Sequence, residues 1–172
     1  SLWLNTPGID GESAVVMRNG SAINIQTENQ FQITISNNID GELVLGCQIS
    51  AGPNVINVVD TEALAFDEWV HVALTVDGGQ LRLYKNGKLI GVTDYLDRIN
   101  GSTEDWLAIG ANLTLVQEEG EDPYFAMDEA NPQAFSGSID DLALWHVARS
   151  ADEIESIYEK GIAGSDVTKA SV

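Results

Sequence analysis

The chain has 172 residues, 8 of them Lys or Arg and 27 Asp or Glu, for a formal net charge of -19. That length suits one domain with a buried core, and that charge repels nucleic acid and anionic membranes, which excludes both as primary partners. It fits an extracellular or salt-adapted protein, or one that meets divalent cations.

The single cysteine, Cys47, excludes an internal disulfide scaffold and packs as a small hydrophobe. No His/Cys cluster supports a zinc site. No apolar run approaches a membrane span, and no signal peptide is present. The chain opens directly on strand-like sequence, "SLWLNTPG", and reads as a domain cut from a longer protein with neighbouring domains.

Strand patterns succeed one another at short spacing: "SLWLN", "SAVVMRNG", "AINIQ", "FQITISN", "GELVLGCQIS", "NVINVVD" and "EWVHVALTVD". "QLRLYKNGKLIGV" is the clearest hairpin, because Asn86-Gly87 is the type I′ turn pair that tolerates positive φ at both positions. Around it, Leu81 and Leu83 face one way, Arg82 and Tyr84 the other. "WLAIGAN" and "SIDDLALWHV" complete about nine short antiparallel strands. One helix comes after them. Ser150 and Glu153 form an S-x-x-E capping box, Ile154, Ile157 and Tyr158 make one apolar face, and Gly161 is the expected stop. The fold class is therefore all-β: a two-sheet antiparallel sandwich with one short C-terminal helix. It occupies residues 1–163, with a loose polar tail over 164–172.

Two long loops interrupt the strands, residues 93–105 and 112–134. The second carries Glu118, Glu119, Glu121, Asp122, Asp128 and Glu129 together with Tyr124 and Phe125. A loop of that length is usually functional or disordered, and in a sandwich the binding loops sit at the ends or on one face.

The stretch from Phe66 to Gly161 resembles the bacterial laminin-G-like, concanavalin A-like jelly rolls. The matching residues are Trp69, His71, Val72 and Ala73; Tyr84, Asn86 and Gly87; Ile109 and Gly110; and Gly137, Ile139, Asp140, Asp141, Trp145, Ser150, Glu153 and Ile154. The resemblance spans roughly residues 1–163 and implies a jelly roll. Two departures stand out. The family's usual first strand, ahead of the one holding Trp3 and often bearing F-D-G, is absent, and family members often draw calcium contacts from there. Position 70 is Val where the family often has His.

Asp140 and Asp141 pose the central question. On a continuous strand, neighbours point to opposite faces and cannot flank one glycosidic bond. No E-x-D-x-x-E of the related glucanases occurs. Glycoside hydrolysis is thus the least favoured reading. His71 and His146 lack a nucleophile constellation, and His71 reads as a hydrogen-bonded core histidine. Asp140 shares its face with Leu142 and Leu144, read as core positions, so its carboxylate needs a partner there. That partner is either a set of loop N–H groups or calcium, which accepts carboxylates in irregular geometry. The resemblance implies calcium at Asp140. It also likens the acidic loop, with Glu119, Glu121 and Asp122, to the calcium loop of pentraxins, while a solvated charge run explains that loop equally well.

Trp3, Trp69 and Trp145 lie in strand patterns and read as core. Trp106, Tyr124 and Tyr95 sit beside or within the long loops and are the candidates for stacking on sugar rings, against a role as loop anchors. The expected function is a non-catalytic, calcium-containing glycan-binding or adhesion module of a surface or secreted protein. Its partner is a glycan or a cell-surface or matrix component. The alternative is a structural or protein-interaction module whose missing first strand leaves a sheet edge open.

Overall fold

The computed structural model describes residues 1–8, 13–19, 29–99 and 107–165; at 14, 17–19 and 29 it describes the backbone only. The predicted strand "AINIQ", the candidate Trp106 and residues 166–172 of the tail lie outside the described residues.

The described strands are β1 (Leu2–Asn5), β2 (Ser13–Asn19), β3 (Asn29–Asn37), β4 (Leu43–Ala51), β5 (Asn54–Val59), β6 (Val70–Asp77), β7 (Gln80–Lys85), β8 (Lys88–Asp94), β9 (Ala108–Ile109), β10 (Leu113–Val116), β11 (Tyr124–Met127) and β12 (Ser138–Asp140). Helix α1 (Ala151–Ile162) comes last. One five-stranded sheet has the order β12-β1-β6-β7-β8, and the other has β5-β4-β3-β2-β9. β10 and β11 pair with each other as a separate two-stranded sheet. The expected antiparallel jelly-roll sandwich is what the chain forms.

Alternation builds the core. Leu2 and Leu4 of β1, Val72 of β6, and Leu81 and Leu83 of β7 meet Ile35 of β3 and Leu45 and Ile49 of β4, all fully buried. Each such aliphatic side chain contributes about 1.5–3 kcal/mol relative to exposure. Cys47 packs among them as expected, and burial pushes its thiol pKa up to about 12, which keeps it protonated and inert.

The two sheets are tied along one side, where β5 and β8 meet. Thr93 Oγ1 donates to Asn57 O at 2.9 Å. Lys85 Nζ donates to Asp60 Oδ2, a carboxylate almost fully buried, and Asp60 Oδ1 accepts the Glu62 N–H at 3.0 Å. A carboxylate removed from water needs such partners.

The β7–β8 hairpin forms as read: Asn86 and Gly87 have φ of 50° and 79°. The capping box forms too. Glu153 N donates to Ser150 Oγ at 3.3 Å and Ser150 N donates to Glu153 Oε2 at 2.7 Å. The Ser150 N–H, then the Arg149 guanidinium, holds the Glu153 carboxyl below its ordinary range.

The predicted helix stop at Gly161 is corrected. The helix runs on to Ile162, and Gly164 supplies the left-handed residue at φ 65°. Gly161 has a different task. A β-carbon there would lie 2.5 Å from Trp3 Nε1, so this glycine lets the helix touch the indole. α1 thereby covers the outer face of the first sheet, where Ala73, Tyr84, Ile154 and Ile157 form a second buried cluster.

Candidate functional site

The long loop 112–134 is largely structured. It rises as the β10–β11 hairpin, paired from Leu113↔Met127 to Val116↔Tyr124. Its stem is fixed by polar contacts. Asp128 Oδ1 accepts the N–H groups of Ala130 and Asn131 at 3.0 and 3.2 Å. Asn112 Nδ2 donates to Asn131 O at 3.1 Å. Asp128 is thus a turn-forming residue and not part of the exposed acidic group.

Glu118, Glu119, Glu121 and Asp122 occupy the hairpin tip and are exposed, with Gly120 turning the chain at φ 87°. Tyr124 opens β11 beside them. Its side chain is 45 % exposed and its hydroxyl donates to Glu118 Oε1 at 2.9 Å. That bond orients an open aromatic face next to carboxylates.

The stem is anchored at one end of the sandwich. Phe135 N donates to Gly110 O, Ser13 Oγ donates to Ala134 O and Thr6 Oγ1 donates to Ser136 O. Asp67 N donates to Thr6 O at 2.8 Å, which brings the loop before β6 to the same end. That loop presents Phe66, 53 % exposed, and Trp69, 48 % exposed. The reading of Trp69 as core is therefore corrected. β6 begins only at Val70, so Trp69 stands outside the alternating pattern that buries Val70 and Val72. Phe66 is a site candidate that sequence reasoning passes over. Its signal is "FDEW", two aromatics flanking two acidic residues just ahead of a strand.

Tyr95 lies at the opposite end, just past β8. It packs partly buried against the main core, and its N–H donates to Gly79 O at 2.7 Å. The structure does not bring it to Tyr124.

Asp140 is placed differently from the expectation. Trp3 pairs with Asp140 on one side and with His71 on the other, so Asp140 belongs to the outer face of the first sheet, and it is exposed. The strand ends there. Asp141 takes φ 49° and switches the parity of the residues after it. Ile139 and Leu142 both pack against the main core, whereas Leu144 is 60 % exposed. The shared face of Asp140, Leu142 and Leu144 does not exist, and with it goes the burial that would demand a partner. Asp140 Oδ1 accepts the adjacent Asp141 N–H at 2.8 Å.

The acidic side chains suit a hard cation in kind, since calcium takes oxygen donors. In arrangement they do not: among the described residues no three His, Cys, Asp or Glu side chains converge on one point. Asp140, in the first sheet, and Glu119, Glu121 and Asp122, on the hairpin, stand apart.

His71 is the most unusual polar side chain. It is 1 % exposed, and neither ring nitrogen has a hydrogen-bond partner among the described residues. Its ring is 5.3 Å from that of Trp3 and 6.0 Å from that of Tyr158. Burial pushes its pKa down to about 4, so it is neutral and enclosed.

Residues 1–155 match the sequence profile of the concanavalin A-like lectin/glucanases superfamily. No curated protein sequence matches the chain significantly. Among solved structures it is similar to a heptameric SAP-like pentraxin from Limulus polyphemus, with 18% identity, a TM-score of 0.60, and coverage of 91% of this chain and 67% of that one. It is also similar to a candidate carbohydrate binding protein from Bacteroides ovatus, with 19% identity, a TM-score of 0.60 and coverage of 90% of this chain. The chain spans 38% of that second protein's length. At these identities the likeness concerns the fold.

Proposed function

We infer, from the premise that the chain belongs to the concanavalin A-like lectin/glucanases superfamily and from its aromatic end, that it is a non-catalytic glycan-binding module. The observation that carries this reading is the exposed ring of Tyr124, held by its hydroxyl on Glu118, on a hairpin whose stem is anchored at the end where the loop of the exposed Phe66 and Trp69 lies. Sugar C–H faces pack on such rings, and the neighbouring carboxylates of Glu119, Glu121 and Asp122 accept sugar hydroxyls. A glycan or a glycosylated cell-surface or matrix component is the proposed partner, and an extracellular or cell-surface site is the proposed location. The similarity to a candidate carbohydrate binding protein supports the substrate class.

Calcium is the finer part of the proposal. Glu119, Glu121 and Asp122 at the hairpin tip are the residues that would have to close on it, since they do not converge on one point as they stand; Asp140, proposed from the sequence as a ligand, offers a single exposed carboxylate and would need partners from elsewhere. A bound ion would accept sugar hydroxyls directly.

A glycan array probed in calcium and again in EDTA tests both parts, with Tyr124→Ala and Trp69→Ala as variants. Both residues are about half exposed, so the fold tolerates their loss. The expected result is retention of at least one glycan class by the wild type and a loss of about tenfold or more in each variant, the scale of one stacking contact. Variants that bind as well as wild type would sink the aromatic site. Equal binding in EDTA would remove the ion and leave the site.

A further inference from the structure

Lys85 and Asp60 stand 25 residues apart in sequence and meet across the seam between the two sheets. Lys85 ends β7 directly opposite Val72, a fully buried core residue, and paired residues share a face. Its side chain therefore leaves from the face of the first sheet that builds the core. Asp60 follows β5 and keeps that strand's attachment to β4, since Asp60 N donates to Leu45 O at 2.8 Å. Each residue is thus fixed by the strands of a different sheet.

The pair is shielded from water. The Asp60 side chain is 3 % exposed and that of Lys85 14 %. Lys85 Nζ donates to Asp60 Oδ2, while Asp60 Oδ1 accepts the Glu62 N–H at 3.0 Å. A second carboxylate reaches the same amine: Glu62 Oε2 lies 3.5 Å from Lys85 Nζ. The Glu62 side chain is 79 % exposed, so it links the enclosed pair to solvent.

Two opposite charges held out of water are costly, because their attraction has to offset the lost hydration of both. Condensation to an amide removes both charges at once. The arrangement has the parts that this reaction needs. The amine touches the carboxyl group it would attack, and fixed proximity of that kind is worth an effective molarity of about 10⁵–10⁸ M. The Glu62 N–H on Asp60 Oδ1 stabilises the negative charge that gathers there on attack. The Glu62 carboxylate is placed to take protons from the amine.

We propose that Lys85 and Asp60 condense after folding to an intramolecular amide bond, with Glu62 carrying the protons. The Lys85 ammonium gives one proton to Glu62, and the free amine attacks Asp60 Cγ, which forms the N–C bond. The amine then loses a second proton. Both protons pass by way of Glu62 to Oδ2, the Cγ–Oδ2 bond breaks, and Oδ2 leaves as water. The third amine proton stays on the amide nitrogen. No oxidation or reduction takes place and no outside reactant is needed. One cation and one anion disappear together, so the net charge of the chain is unchanged. The product is a covalent tie between the two sheets along the side where β5 and β8 meet. An ion pair that stays an ion pair differs from it in mass.

The test is mass spectrometry of the purified chain, intact and after proteolysis. The expected intact mass is lower than the sequence mass by one water. The digest is expected to hold a branched peptide that joins the segments of Asp60 and Lys85. Lys85→Arg keeps the charge but cannot form this amide, and it is expected at full mass. In Glu62→Gln the rate of water loss is expected to fall by about a hundredfold. Three results would overturn the proposal: wild type that keeps its full sequence mass on prolonged incubation, a water loss without the branched peptide, or a water loss that persists in Lys85→Arg. A succinimide at Asp77-Gly78 would give the last two. Cross-linking at an equal rate in Glu62→Gln would overturn the part assigned to Glu62. The branched peptide is read in the wild type, so the outcome does not depend on how a variant folds.

Discussion

His71 sits on the second residue of β6 with its ring enclosed by Trp3 and Tyr158, and its backbone is taken by Asn86. Among the described residues no carboxylate bonds the ring to favour a proton on it. The folded protein therefore protonates His71 near pH 4, while the unfolded chain does so near 6.5. Between those values the unfolded state binds the extra proton, so stability falls as pH drops from about 6.5 and levels off below about 4. The loss over that window is about 3 kcal/mol. In His71→Phe an aromatic ring fills the same space without nitrogens. Its urea-unfolding free energy is expected to match or exceed wild type at pH 7 and to lose most of the slope between pH 6.5 and 4. An unchanged slope in the variant would assign the acid sensitivity to carboxylates instead. The alternation of "VHVAL" puts this histidine on the face opposite Val70 and Val72, where it would meet water. Its burial and its lack of partners are not legible there, because both depend on which rings the helix lowers onto it. Trp69, two residues earlier, escapes a sequence reading for a related reason: alternation cannot say where a strand starts.

Among elements, the β7–β8 hairpin is fully legible, since positive φ at two successive residues is a local demand that Asn-Gly answers. The β10–β11 hairpin is not. Its strands are four residues each and apolar on both faces, and the acidic tip between them has the composition of a solvated loop. Pairing of Leu115 with Phe125 joins residues that no turn motif links. The burial expected of Asp140 rests on a strand running unbroken through residues 140–144, and one left-handed residue, Asp141, ends it. Helix α1 shows the converse. Its start is written in the capping box, but Gly161 reads as a stop and is a contact. Gly→Ala inside a helix ordinarily stabilises by about 1 kcal/mol. Gly161→Ala is expected to do the opposite, because its β-carbon would lie 2.5 to 2.8 Å from three atoms of the Trp3 indole. The stacked Trp3 and Tyr158 rings hold that indole in place. A destabilisation of about 1–3 kcal/mol in urea titration is the expected outcome. A gain in stability would mean that the helix can lift from the sheet without cost.

At the scale of the molecule the decisive quantity is the net charge of -19. Eight Lys and Arg cannot pair 27 Asp and Glu, and of the ion pairs described Lys85 with Asp60 is well shielded from water. Most carboxylates therefore repel one another across the surface, and that repulsion is stronger in the folded than in the expanded chain. It acts over a Debye length of about 30 Å at 0.01 M salt, and over less than about 10 Å above 0.1 M. Raising sodium chloride from about 0.01 to about 0.5 M at pH 7 is expected to lift Tm by about 3–6 °C, which for a domain of this size corresponds to about 1–2 kcal/mol. Chloride is the appropriate anion, since sulfate also strengthens apolar burial. Calcium chloride at matched ionic strength separates screening from binding. A rise no greater than that in sodium chloride assigns the carboxylates to solvation alone. A larger rise that Glu121→Gln and Asp122→Asn abolish assigns an ion to the hairpin tip, because only binding to the native state adds stability beyond screening. A Tm that falls or stays flat with sodium chloride would show that the acidic surface carries no net repulsion.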